Sequence, residues 1–96
     1  MKTVLIVDSS DVVVDLLENK IKKLLNVNIL KANTYKEAVN YILEEEIIHI
    51  AILDLNLPDA KNGQIVDYAI SKDIPSLILT GLMNKDLQKT ILQVII

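Results

Sequence analysis

The sequence contains no cysteine, arginine, phenylalanine or tryptophan, and only two glycines and two prolines. The lack of cysteine excludes a disulfide framework and a thiolate metal site, and it fits a reducing cytoplasm. All ten positive charges are lysines and the net charge is −3, which is a poor composition for binding nucleic acid directly. No apolar run approaches the roughly 20 residues that span a bilayer. We therefore expect a cytoplasmic protein with no membrane contact.

Hydrophobic residues are abundant despite the scarcity of aromatic side chains. They make up 51% of the chain, so its core must be built from Ile, Leu and Val. A length of 96 residues is that of one small domain, and no linker, repeat or low-complexity segment divides it. We predict a single domain over residues 1–96.

Strand and helix signals alternate along the chain. Residues 3–7 form an apolar run typical of a strand covered on both faces, and further strands are predicted over 27–32, part of 47–55 and 76–79. The predicted buried stripes of the helices are Val13, Leu17, Ile21 and Leu24; Tyr35, Ala38, Val39 and Ile42; Ile65, Val66, Ala69 and Ile70; and Leu87, Ile91, Val94 and Ile95. This order predicts an α/β domain with a doubly wound parallel sheet.

Helix starts are marked by polar residues. Ser9, Ser10 and Asp11 offer capping oxygens before the first helix, and we expect Ser9 and Asp11 to serve as caps. Thr34 and Glu37 have the spacing of a capping box before the second helix.

Two aspartates mark the predicted functional site. Asp8 follows the first apolar run and Asp54 ends the third. In an open α/β sheet, ligands bind outside the carboxyl ends of the strands. Two carboxylates there can hold Mg²⁺, and one can act as a nucleophile toward a phosphoryl group. Asn56 could add a backbone carbonyl to a cation, and Thr80 could add a hydroxyl at the same edge.

Three motifs carry a resemblance to a known family. Residues 4–8 (VLIVD), residues 54–58 (DLNLP) with Gly63, and residues 79–81 (LTG) resemble receiver domains of bacterial two-component response regulators. The resemblance covers essentially the whole chain and implies a flavodoxin-like sheet in the order 2-1-3-4. It also implies Mg²⁺-dependent phosphorylation of Asp54 by a histidine kinase. Asp8, Asp54 and the Asn56 carbonyl would hold the metal, and Thr80 would be the switch hydroxyl.

The sequence departs from that family in three places. Ser9 stands where a second acid is usual, so it would be at most a weak metal ligand and Mg²⁺ affinity should be lower. The loop from Asp54 to Gly63 is one residue longer. The chain ends at Ile96, so we expect the fifth strand, its following lysine and the fifth helix to be missing or reduced to a stub. The exposed fourth strand or the C-terminal segment would then favour self-association.

Two functions remain open at this point. The first is a phosphoacceptor receiver, which is not an enzyme beyond its own phosphorylation and dephosphorylation and whose output domain or effector lies outside this chain. The alternative is a pseudo-receiver that serves as a protein-interaction or dimerisation module without phosphorylation. His49 precedes the third strand, far from the acids, and is interpreted as an ordinary half-buried or surface histidine.

Overall fold

A computed structural model describes residues 1–45 and 47–79. Its elements are β1 (Thr3–Val7), α1 (Asp11–Leu24), β2 (Asn28–Ala32), α2 (Tyr35–Glu44), β3 (Ile50–Asp54), α3 (Gln64–Ser71) and β4 (Ser76–Leu79). The predicted last helix, any stub of a fifth strand and the proposed C-terminal contact lie outside the described residues. Among the described helices, none has the length and apolar character needed to cross a membrane.

The strands form a parallel sheet in the order β2-β1-β3-β4, which confirms the predicted fold class. β1 lies between β2 and β3, and Val7 is in register with Ala32 on one side and Leu53 on the other. All five residues of β1 are buried, as expected for a central strand covered on both faces. The two central strands thus end side by side at one edge of the sheet.

Helices cover both faces of the sheet. Alternate strand residues such as Val4, Ile6, Ile50 and Ile52 pack against α1. The residues between them, including Leu5 and Leu53, pack on the opposite face with residues of α2 and α3. This two-faced core explains the continuous apolar runs, because in a parallel sheet neither face of the strand meets water.

Two of the predicted buried stripes differ from the structure. In α1 the buried residues are Val14, Leu17 and Ile21, whereas Leu24 is 50% exposed. In α3 the buried residues are Ile65 and Ala69, whereas Ile70 is 63% exposed. Neighbouring apolar positions on both helices offer two competing stripes, and packing selects one of them.

His49 lies at the amino-terminal edge of the sheet, as the sequence predicts. Its backbone N–H donates to the carbonyl of Thr3 at 2.9 Å, and its ring Nδ1 accepts from the Thr3 backbone N–H at 3.0 Å. The ring thereby supplies the acceptor that a further strand residue would have provided. The histidine is half-buried and extends the β1–β3 pairing.

Candidate functional site

Asp8 lies directly after β1, in the turn that leads to α1. Its backbone N–H donates to the carbonyl of Ala32 at 3.0 Å, so the β1–β2 pairing fixes its main chain. Its carboxylate Oδ1 accepts the N–H of Ser10 at 2.8 Å. The residue is 8% exposed, which is unusual for an acid.

Asp54 is the last residue of β3, on the neighbouring strand. The register pair Val7 and Leu53 immediately precedes the two aspartates, so Asp8 and Asp54 emerge side by side at the carboxyl edge. The Asp54 carboxylate Oδ1 accepts the N–H of Asn56 at 3.0 Å. Each acid is therefore oriented by the backbone two residues further along the chain.

Burial and the neighbouring acid both act on the carboxyl group of Asp8. Burial is the main cause that raises the pKa of Asp8, and the charge of Asp54 raises it further, whereas the Ser10 N–H bond opposes the rise. Two neighbouring negative charges repel each other. A bound cation would relieve the repulsion between them.

The loop after β3 carries Asn56, which is exposed beside Asp54. The next residue, Leu57, is fully buried, and it forms an isolated antiparallel bridge with Ala60. The loop ends at Gly63, which has a φ of 73° and precedes α3. A Cβ there would lie 3.3 Å from the Leu55 side chain, so glycine suits both the left-handed backbone and the limited space.

The turn between β1 and α1 differs from the expected capping. Ser10 is the N-cap of α1, and its hydroxyl accepts the N–H of Val13 at 3.4 Å. Asp11 is the first residue of the helix and Ser9 is exposed. The prediction that Ser9 and Asp11 cap α1 was therefore wrong, because the Asp8–Ser10 turn places Ser10 at the helix start.

Thr80, the predicted switch residue, lies outside the described residues. It follows Leu79, which is the register partner of Asp54 in the β3–β4 pairing. Its assignment stays a prediction.

The donor atoms at this edge fit a magnesium ion held partly by water and phosphate. Within 1–45 and 47–79, no group of three or more His, Cys, Asp or Glu side chains could enclose a metal. Mg²⁺, however, is usually bound by one or two carboxylates together with waters and phosphate oxygens, and not by an all-protein cage. Asp8 and Asp54 supply two adjacent carboxylates, and Asn56 adds a nearby backbone carbonyl.

Sequence patterns did not reveal two contacts beside these acids. The Asn33 side chain donates from Nδ2 to the backbone carbonyl of Asp8 at 3.1 Å. The Asp59 carboxylate accepts the backbone N–H groups of Tyr35 and Lys36. The sequence indicates that the polar residues before α2 and after Pro58 lie in caps and turns. No periodic signal, however, indicates which distant residues they contact.

Solved structures similar to this chain include response regulators and response regulator receiver domains. A CheY-like response regulator receiver domain protein from Methanospirillum hungatei JF-1 matches with a TM-score of 0.74 at 22% identity, over 98% of this chain and 75% of its own. The response regulator TrrA from Thermotoga maritima, in complex with Mg²⁺-BeF, matches with a TM-score of 0.83 at 14% identity, over 99% of this chain and 100% of its own.

A third match is to a longer protein. A putative two-component system response regulator/GGDEF domain protein matches with a TM-score of 0.73 at 24% identity, over 100% of this chain but 38% of its own. No protein-family model matches the sequence, and no curated protein matches it significantly. The structural likenesses, all below 25% identity, establish that this chain has the fold of response regulator receiver domains.

Proposed function

We propose that this chain is a phosphoacceptor receiver domain of two-component signal transduction, phosphorylated on Asp54 with Mg²⁺. The supporting observation is the pair of carboxylates at the carboxyl edge, where the register of β1 and β3 brings the buried Asp8 beside Asp54. A histidine kinase would be the donor, and an output domain or effector beyond this chain would read the signal. The chain would act in the cytoplasm, without direct contact with nucleic acid.

Each residue has a distinct role in this proposal. The N–H of Asn56 holds Oδ1 of Asp54, and Oδ2 of Asp54 is the proposed nucleophile. Its attack forms a bond to phosphorus while the bond between phosphorus and the donor's leaving group breaks. Phosphoryl transfer depends mainly on positioning and charge neutralisation. Asp8, Asp54 and the Asn56 carbonyl would hold Mg²⁺, which supplies that neutralisation, and Thr80 would donate its hydroxyl to the phosphoryl group.

Intact mass spectrometry after incubation with Mg²⁺ and a small phosphodonor tests the proposal. We expect one added phosphoryl group that is stable in acid and released by base. Asp54→Asn should abolish it, whereas Asp67→Asn, which alters an exposed acid on α3, should leave it unchanged. An adduct that survives Asp54→Asn would contradict the proposed acceptor.

The exposed Ser9 supports a second candidate, the pseudo-receiver. A serine in place of a second acid leaves two carboxylates at this edge of the described part of the chain, which weakens the metal site. We expect Ser9→Asp to lower the Mg²⁺ concentration that gives half-maximal phosphorylation. A folded protein that takes up no phosphoryl group, either as it is or with Ser9→Asp, would favour an interaction module instead.

Self-association through β4 or the C-terminal segment is part of either proposal. In the described part of the sheet β4 is one of the two edge strands, and Ile78 on it is 42% exposed. Size-exclusion chromatography with light scattering should show a dimer or larger species at high concentration. A strict monomer would count against this contact.

A further inference from the structure

Residues 33–36, which span the short loop after β2 and the first two residues of α2, contact both loops that carry the site acids. On one side, Asn33 Nδ2 donates to the carbonyl oxygen of Asp8 at 3.1 Å. On the other side, the N–H groups of Tyr35 and Lys36 donate to Oδ1 and Oδ2 of Asp59 at 2.8 and 3.1 Å. The two acid-bearing loops are therefore connected through the start of α2 and the loop before it, neither of which carries a site acid.

Asp59 contacts the start of α2, although it is not the N-cap of that helix. The helix has its own N-cap, Thr34, whose hydroxyl accepts the N–H of Glu37 at 3.1 Å. Asp59, which lies in the loop after β3, accepts the N–H groups of Tyr35 and Lys36. These hydrogen bonds lower the pKa of its carboxyl group. The positive end of the helix dipole favours the same charged form. An exposed carboxylate is thus held at both oxygens by the start of α2.

The segment between Asn56 and Asp59 is short and anchored in the core. Leu57 is fully buried and Ala60 is 5% exposed, and the Ala60 N–H donates to the Leu57 carbonyl at 3.2 Å. Asp59 lies within this tight turn. A constraint on the Asp59 carboxylate is therefore transmitted to the backbone of Asn56, whose N–H orients Asp54.

We propose that Asn33 and Asp59 are positioning residues that fix the two site carboxylates relative to each other through the start of α2. Asn33 holds the main chain of Asp8, and Asp59 holds the loop that orients Asp54. The consequence for Mg²⁺ binding rests on the proposed function. The positioning itself concerns only the protein's own groups and is measurable without metal.

Amide hydrogen exchange in the metal-free protein tests the positioning directly. The N–H groups of Ser10 and Asn56 donate to Asp8 and Asp54, so their exchange rates report the order of the two carboxylates. We expect Asn33→Ala to accelerate exchange at Ser10 by about threefold or more, relative to the core amide of Ile6. We expect Asp59→Ala, and to a smaller extent Asp59→Asn, to accelerate exchange at Asn56.

Thr34→Ala is the matched control. It removes the hydroxyl cap of α2 but leaves the Asn33 and Asp59 side chains unchanged, so the two reporter amides should keep their rates relative to Ile6. Equal acceleration in Thr34→Ala would overturn the proposal, because the effect would then reflect helix fraying. Unchanged reporter rates in the Asn33 and Asp59 variants would overturn it as well.

A titration with Mg²⁺ alone, followed by NMR of the same amides, measures the consequence for the site. Outer partners of metal ligands typically change metal affinity about 10-fold or more, so Asn33→Ala and Asp59→Ala should raise the Mg²⁺ Kd to that extent while Thr34→Ala does not. Absence of Mg²⁺ binding by the unsubstituted protein would contradict the proposed function. Hydrogen exchange would then decide the positioning inference by itself.

Discussion

The sheet has an amino edge, where the strands begin, and a carboxyl edge, where they end, and the two use polar side chains in opposite ways. At the amino edge, Nδ1 of the His49 ring accepts the Thr3 N–H and the backbone N–H of His49 donates to the Thr3 carbonyl, so these polar groups are paired within the protein. At the carboxyl edge, the charges of Asp8 and Asp54 repel each other although each carboxylate is hydrogen-bonded. The first edge uses a polar side chain for structure, whereas the second maintains a repulsion that a bound cation would relieve.

Removing a side chain from the core that supports both edges should give the largest loss of stability, because it destabilises the whole sheet. Ile52 is fully buried in β3, next to Ile6 in the register. We expect Ile52→Ala to lower the free energy of unfolding by about 2–5 kcal/mol, because a cavity replaces packed methyl groups.

Urea denaturation measures the loss, with Ile70→Ala as control because Ile70 is 63% exposed. The control should stay within about 0.5 kcal/mol of the unsubstituted protein. Similar losses in the two variants would contradict the burial pattern.

Removing the His49 ring should affect the amino edge alone. Thr3 is 8% exposed, so His49→Ala leaves a buried N–H without its acceptor, which costs about 1–3 kcal/mol of unfolding free energy. Urea denaturation measures the loss, and phosphorylation of Asp54 in the folded state should be unchanged. A stability within experimental error of the unsubstituted protein would show that the ring is dispensable.

Neutralising Asp8 at the carboxyl edge should raise the stability of the metal-free protein, whereas removing the His49 ring should lower it. The folded-state pKa of Asp8 is raised, so its favourable contribution is fully present below the unfolded pKa and is lost as the pH rises through the folded one. Asp8→Asn should therefore stabilise the metal-free protein at neutral pH by about 0.5–2 kcal/mol. The gain should shrink toward zero below about pH 4.

Thermal or urea unfolding across this pH range, with a chelator present, measures the effect. As a control, Asp67→Asn, which alters an exposed acid on α3, should leave the stability unchanged. A loss of stability in Asp8→Asn at neutral pH would mean that the charged form of Asp8 does not destabilise the metal-free protein.

The smallest effect is expected away from both edges. Lys31 on β2 lies 3.2 Å from Glu18 and 3.6 Å from Asp15, both on α1. Exposed ion pairs contribute little because water and salt screen them. Lys31→Met should leave the urea midpoint within error of that of Lys20→Met, a change to another exposed lysine on α1. A clear loss at low salt that disappears in 1 M salt would contradict this expectation.

The fold was predictable because its strongest signals are local and repeated. A central parallel strand is apolar throughout, and β1 shows that pattern over its five residues. Thr34 and Glu37 indicate the start of α2, and the Thr34 hydroxyl does accept the Glu37 N–H. The two aspartates stood out because acids interrupt otherwise apolar runs, and the register brings them together.

Hydrophobic periodicity could not show which of two neighbouring apolar stripes on a short helix is buried. In the eight residues of α3, Val66 and Ile70 have the same spacing as Ile65 and Ala69, so periodicity favours both pairs equally. Only packing against the sheet decides that Ile65 and Ala69 are buried. The Asn33 and Asp59 contacts were missed for a different reason, because hydrogen bonds between distant loops leave no periodic trace.

The central position of β1 has a consequence for how the chain folds during synthesis. Val4 pairs with Ile29 and with Ile50, so both partners leave the ribosome after the strand they flank. At typical rates of roughly 5–20 residues per second, the most apolar strand waits about 2–9 s for β3. A nascent chain of this kind exposes an apolar, aggregation-prone strand until its partner strands have been made. Its yield in cells should therefore depend on chaperone access to β1 as well as on the stability of the finished fold.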